Sequence, residues 1–249
     1  MLPEEFIGGL FSLLYVITST IVGISVMSRY LKYKEKSFIF VGLAIGGIAC
    51  PWWPSAASFL ALSIFHFAIP DQLYLFLGIT FAPIITFSWI IGLNILLYDG
   101  KNKLLLIIYG IIFSLMDIVF LIVLSLFPDL VPLLIGIIQP NHLDVEYKGF
   151  IMLMFIIIVA TVLITGDMVS WKSIKSKNHL VKIKGQILFT SFTVWAVAAV
   201  LDAVAPLNIF GVVIVRTILI IQAFGFYIGW IMPKFAQSFF IKIRLLKPE

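Results

Sequence analysis

The sequence predicts an all-α integral membrane protein, a single domain spanning residues 1–249 and built from seven transmembrane helices. Three observations carry this. The chain is 62% hydrophobic and only 12% charged, against about 25% charged in soluble domains. Its apolar residues gather into seven runs, each near the roughly 20 residues needed to cross a hydrocarbon core of about 30 Å. All of its 17 Lys/Arg except Lys148 and Arg216 fall in the links after runs one, three and five or in the C-terminal tail. The net charge of +5 therefore reflects topology, and no nucleic-acid partner is expected.

The acidic start MLPEE leads into span one, 6–27, with no small-residue cleavage site. A secretory signal opens on basic residues and has a shorter apolar core, so this span is expected to be retained. Span two, 38–63, is interrupted by Pro51-Trp52-Trp53-Pro54. Its two prolines remove two backbone donors and bend the helix. Each half is too short to cross alone, so a single kinked span is expected, with a broken transporter-type helix as the alternative. The turn HFAIPD leads to span three, 72–97, with a softer kink at Pro83, and the Gly-centred turn YDGKNK leads to span four, 104–127. The longest link, 128–148, contains three prolines and the apolar stretch LVPLLIGII. That stretch is too short to span and is expected to dip into the headgroup region or to cap the bundle. Span five, 149–169, is followed by the lysine-rich link WKSIKSKNHLVKIK, span six, 185–204, the tight turn APLN, and span seven, 209–232. In the tail, 234–247, Phe235, Phe239 and Ile243 repeat every four residues among Lys242, Arg244 and Lys247. This pattern predicts an amphipathic helix lying on the membrane surface.

The positive-inside rule places the lysine-rich links and the tail in the cytoplasm and the N-terminus outside. A multi-pass location in a prokaryotic cell membrane is expected. Lys172, Lys175, Lys177, Lys182 and Lys184 are candidates for contact with anionic lipid or a cytoplasmic partner.

Arg216 is the one cation inside a span, about 10 Å below the outer face. Lipid does not hydrate a guanidinium, so it must face other helices and find partners there. Asp202, near the outer end of span six, and Asp117, roughly 15 Å deep in span four, lie within its vertical reach. A charge network of Arg216, Asp202 and Asp117 is expected, either as a clamp on helix register or as a binding site open to the outside. Gln222 and Tyr227 in span seven and Asn94 in span three are candidates to line the same interior or to bond between helices. Pro51, Trp52, Trp53, Pro54, Trp89 and Trp195 mark a kink and an aromatic lining suited to an apolar or cationic ligand, or to helix packing around the kink. Trp171 and Trp230 lie near the cytoplasmic interface, where indoles anchor helices.

His66, His142 and His179 are too dispersed to predict a metal site. His66 with Asp71, or His142 with Asp144, is a candidate external pH sensor. Tyr98-Asp99 and Thr165-Gly166-Asp167 echo the YD and GxGD motifs of intramembrane aspartyl proteases. Ile164 stands in place of the first glycine, however, no Pro-Ala-Leu follows, and Asp99 falls in a loop. No Ser-His, Cys-His or phosphate-binding glycine arrangement is present, and the single Cys50 lies in an apolar run. No enzyme activity is expected.

Seven spans with the N-terminus outside resemble the rhodopsin and receptor plan. Span seven contains no lysine, so a retinal Schiff base there is excluded, and no cofactor is expected. The DRY and NPxxY motifs of eukaryotic receptors are also missing. The stretch from Lys184-Gly185 to Leu201-Asp202-Ala203, with a basic-Gly start and an acidic outer end, resembles the seven-helix sensor modules of prokaryotic histidine kinases. The resemblance implies a membrane sensor, and a sequence that carries no kinase after its tail implies signalling through a separate cytoplasmic protein. The expected function is therefore a receptor-like sensor binding a small ligand in an outward-facing cavity. The alternatives are a small proton-coupled carrier or a ligand-free membrane scaffold.

Overall fold

A computed structural model describes residues 3–205 and 209–242. The chain is almost wholly helical, and seven of its helical stretches are long and apolar enough to cross a membrane. The first combines α1 (Pro3–Met27) with the short α2 (Arg29–Tyr33). The second joins α3 (Ser37–Gly47) to α4 (Trp53–Leu60) through a tight turn at Cys50–Trp52, and it ends in a widened π turn at Ala61–Phe65. The third is α5 (Asp71–Ile79) and α6 (Phe81–Tyr98); the fourth is α7 (Lys103–Leu126). After the four-residue α8 (Val131–Leu134) come α9 (Gly149–Ile174), α10 (His179–Val204) and α11 (Ile209–Ile231). The last element, α12, covers Lys234–Lys242.

The prolines set the local breaks as expected from their missing amide protons. At the kink of the second stretch, the Cys50 carbonyl accepts from Trp53 N–H, because Pro54 has no proton to give. Pro83 likewise leaves α5 and α6 meeting at Thr80. The turn after α6 is closed by Asn94, whose buried Oδ1 accepts the Asn102 amide at 3.1 Å. Asn102 in turn caps α7 by accepting from Leu105.

Two helices run past the apolar spans, and the long link has structure of its own. The sixth helix begins at His179, not at residue 185, because the Asn178 side chain accepts from the amides of Leu180 and Val181 and starts it within the lysine-rich link. The fifth runs on to Ile174. In the link 128–148, β1 (Gly136–Ile138) and β2 (Val145–Tyr147) pair antiparallel, with Gly136 opposite Tyr147. Between the strands the Asn141 side chain accepts the Leu143 amide, and Leu143 is buried.

The packing is uneven. Helices α9, α10 and α11 pack side by side, α1 packs on α3, α4 and α11, and α7 rests mainly on α6. A chain of aromatic contacts fills the interior, with Trp89, Phe192 and Phe226 in successive ring contact at 5.2 and 4.8 Å. In α12, Ala236 and Phe240 pack with Ile183 and Met232, while Phe235 and Phe239 remain exposed. The part of the expected surface helix at 243–247 and residues 206–208 of the APLN turn lie outside the described residues.

Helices α1 and α3 approach most closely at glycines. A Cβ at Gly23 would stand 2.5 Å from the Gly46 Cα, while one at Gly110 would meet only the Phe87 ring at an ordinary 3.5 Å. Gly23→Val is therefore expected to destabilise the purified protein by about 1–3 kcal/mol through overpacking. Gly110→Ala should be neutral or slightly stabilising. Melting of the two variants beside the parent checks both.

Candidate functional site

Arg216 sits in the second turn of α11 and is 3% exposed. Its Nη1 donates to the Gly8 carbonyl at 2.7 Å and to Ser12 Oγ at 2.6 Å, both on the first turns of α1. Its Nε lies 3.7 Å from Asp202 Oδ1, and its Nη2 lies 3.8 Å from Asp144 Oδ2. Those two distances are too long for charge-assisted hydrogen bonds, which close to about 2.7–2.9 Å. Arg216 is thus hydrogen-bonded to α1 and countered, at slightly longer range, by two carboxylates.

The carboxylates are held differently. Asp202 is 12% exposed, and its Oδ2 accepts Trp52 Nε1–H at 2.8 Å. The kink at Cys50–Trp52 thus presents an indole donor to the end of α10. Asp144 is 44% exposed, and its Oδ1 accepts the adjacent Val145 amide at 2.9 Å. Although part of the side chain is exposed, the protein crowds water away from the carboxyl and pushes its pKa up, the negative charge of Asp202 adds to this, and Arg216 only partly offsets it.

The residues before Asp144 are also fastened. Ser55 Oγ donates to the Leu143 carbonyl and stands 2.9 Å from Ser12 Oγ. With its own proton committed to Leu143, Ser55 can only accept from Ser12. Arg216 thus donates to Ser12, whose single proton has both Ser55 Oγ and, at 3.2 Å, the Gly8 carbonyl within reach. His142 Nδ1 lies 3.3 Å from Asp71 Oδ1 at the start of α5. Three consecutive hairpin residues are thus held by α5, α4 and α11. The expected pairings of His66 with Asp71 and of His142 with Asp144 are replaced by this single contact from His142 to Asp71.

Behind the hairpin lies a cavity of about 350 Å³, bordered at one end by Asp144, Tyr147, Asp202 and Arg216 and at the other by Trp89, Phe192 and Phe226. Pro51, Trp52 and Trp195 also line it. Trp53 instead packs on Phe81 at 5.3 Å, and Pro54 is buried against α5 near Gly78. The Trp89 indole N–H is already used, donating to Thr165 Oγ1 at 2.7 Å. Asp117 does not join Arg216. It lies on α7, its Oδ1 is buried without a hydrogen-bond partner, and no ion pair forms to it among the described residues. Gln222 is buried in α11 with both amide atoms unpartnered, and it borders a separate crevice between α10 and α11. Of the lysines, Lys172 closes α9, Lys182 and Lys184 fall in the first two turns of α10, and Lys175 lies 5.3 Å over the Trp171 ring.

Asp144, Ser55, Ser12 and Gly8 are the members of this cluster that sequence reasoning did not connect to Arg216. Gly8 and Ser12 are four apart and so share one face of a helix. That spacing is the available signal for α1. Comparison with protein-family models, curated proteins and solved structures finds no match.

Removing Asp202 leaves a buried arginine short of its better-shielded counter-charge, so Asp202→Ala is expected to cost about 3 kcal/mol. Asp144→Ala should change stability by less than about 1 kcal/mol, because its contact is longer and half-exposed. Thermal melting of the two variants at one pH ranks them. The raised carboxyl of Asp144 also has a pH signature. A group whose pKa is higher folded than unfolded stabilises fully below the unfolded value, about 3.9, and loses that contribution as pH rises through the folded value. Relative to Asp144→Asn, the parent should therefore lose stability as pH climbs from about 4 upward, and melting curves across a pH series read this difference.

Proposed function

We propose that this chain is a receptor-like membrane sensor that binds a small ligand in the cavity behind the β1–β2 hairpin and signals through a separate cytoplasmic protein. In this reading the hairpin end faces outward. The opposite helix ends, with Lys172, Lys175, Lys177, Lys182 and Lys184, face the cytoplasm, where they touch the partner or anionic lipid. The observation that carries the reading is the cavity of about 350 Å³ whose mouth is built from a fastened hairpin and a buried arginine. Ligand pockets are commonly apolar spaces of about 300–1,000 Å³ with a few placed polar groups.

The hairpin supplies the two-state element that signalling needs. Its contacts at His142, Leu143 and Asp144 reach three different helices. A ligand that binds more tightly when these contacts are made, or when they are broken, shifts the balance between the two arrangements. Because Arg216 lies on α11, which leads directly to Lys234–Lys242, a change at the mouth has a rigid route to the lysine-bearing ends. The protein catalyses nothing in this reading and uses no cofactor.

The test is a melt of purified protein against a small-molecule panel, on the parent and on Ala199→Phe, which fills the cavity wall. A compound at a hundred times its dissociation constant should stabilise the parent by about 2.7 kcal/mol and leave Ala199→Phe unmoved. Hydrogen exchange should then change both at residues 136–147 and at 172–184, with no flux of the compound into liposomes. A panel without effect on the parent sinks the reading. Flux that Arg216→Leu abolishes replaces it with the carrier.

A further inference from the structure

Within the proposed binding role, and resting on it, we infer that the ligand is an organic monocation: an amine with an apolar or aromatic body, its ammonium group lodged between Asp144 and Asp202. The argument begins with what Arg216 can still do. Its Nη1 is bonded to Gly8 and Ser12, its Nη2 is turned to Asp144 and its Nε to Asp202. The free donors on Nε and Nη2 are turned toward carboxylate oxygens, so an anion seeking them would have to displace Asp202 and Asp144.

The charge balance points the same way. Among the described residues lining the cavity, Arg216 is the one cation, while Asp144 and Asp202 are the two anions. Asp202 and Arg216 balance each other, which leaves the Asp144 carboxyl without a cation of its own, so an arriving cation completes the set by holding it ionised. Neither carboxylate is spent on the guanidinium. Asp202 Oδ1 and Asp144 Oδ2 stand 3.7 and 3.8 Å from the guanidinium, and neither is held by a short hydrogen bond there. An ammonium offers three donors on a compact charge and can bond to both oxygens without displacing Arg216 from α1.

The walls fit the rest of such a molecule. Trp52, Tyr74 and Tyr147 stand by the charged end, and aromatic faces attract cations, the more so when water is excluded. Beyond them the cavity reaches Phe226, ten residues and thus about 15 Å along α11 from Arg216. That depth accepts an apolar body. The groups that face Asp144 are Arg216 on α11, Asp202 on α10, Tyr74 on α5 and Tyr147 on β2. A cation arriving there favours the ionised carboxylate, so binding should release a proton and tighten as pH rises.

The experiment compares three probes with the same body and different heads: phenylbutylammonium, phenylbutanoate and phenylbutanol, titrated calorimetrically into the protein in lipid nanodiscs. The expected result is ammonium binding at least about tenfold tighter than either analogue. Asp144→Asn should lose most of this preference and all of its dependence on pH, while still binding the alcohol. Ala199→Phe should weaken all three. If phenylbutanoate binds most tightly, or if Asp144→Asn leaves the ammonium preference intact, the cation assignment is overturned while the cavity stands. If none of the three binds the parent, the cavity is no site for such molecules and the proposed function falls with it. Should Asp144→Asn not fold, Asp144→Glu keeps the charge and shifts its position. It should retain the sign of the preference; a reversal there also overturns the assignment.

Discussion

An arginine that cannot lose its proton, set inside an apolar bundle, is the constraint on which the rest of the arrangement depends. Arg216 draws together the first turns of α1, the end of α10, the kinked second stretch and a hairpin from the longest link. None of these elements is joined to α11 in sequence except α10. The cost of leaving such a charge unmatched is several kcal/mol, comparable to the net stability of a whole domain. Competing helix registers that separate it from Gly8, Ser12 and Asp202 are excluded for that reason. The guanidinium specifies geometry in a way that apolar packing between lipid-like side chains does not.

The same cluster explains why the cavity has two unlike ends. Polar groups are gathered where Arg216 needs them, and elsewhere the walls are aromatic and aliphatic. The Pro51–Pro54 kink contributes to both. It turns Trp52 so that its indole donates to Asp202 while the ring packs against Tyr15 at 5.0 Å. Ser55, one residue past the second proline, points its hydroxyl to the hairpin. A straight helix over this segment would carry these side chains at different heights and angles.

The seven apolar stretches were legible because membrane crossing is a matter of length and composition, both of which are local. The boundaries that moved did so where a side chain outside the apolar run took over, as Asn178 does at the start of α10. The hairpin was harder to read. Its strands have three residues each, too few for a periodic pattern, and the preceding apolar stretch gave no sign of direction. Depth arithmetic placed Asp202 and Asp117 equally within reach of Arg216. What separates them is lateral position: α10 adjoins α11 and α7 rests on α6. A single sequence carries depth through residue count and carries lateral neighbours hardly at all. Asp144 escaped for the opposite reason, since a loop residue has no assigned depth until the loop folds back.

The hydrogen bond between Arg216 and the Gly8 carbonyl joins residues 208 apart in the chain. During synthesis the N-terminal helix enters the membrane long before α11 exists. Until then Ser12 and Ser55 lack the donor that orders them, and the hairpin lacks its contact at Asp144. The mouth of the cavity can therefore be completed only when the last span is in place. A chain truncated before α11 would leave Gly8, Ser12 and Asp202 facing no guanidinium.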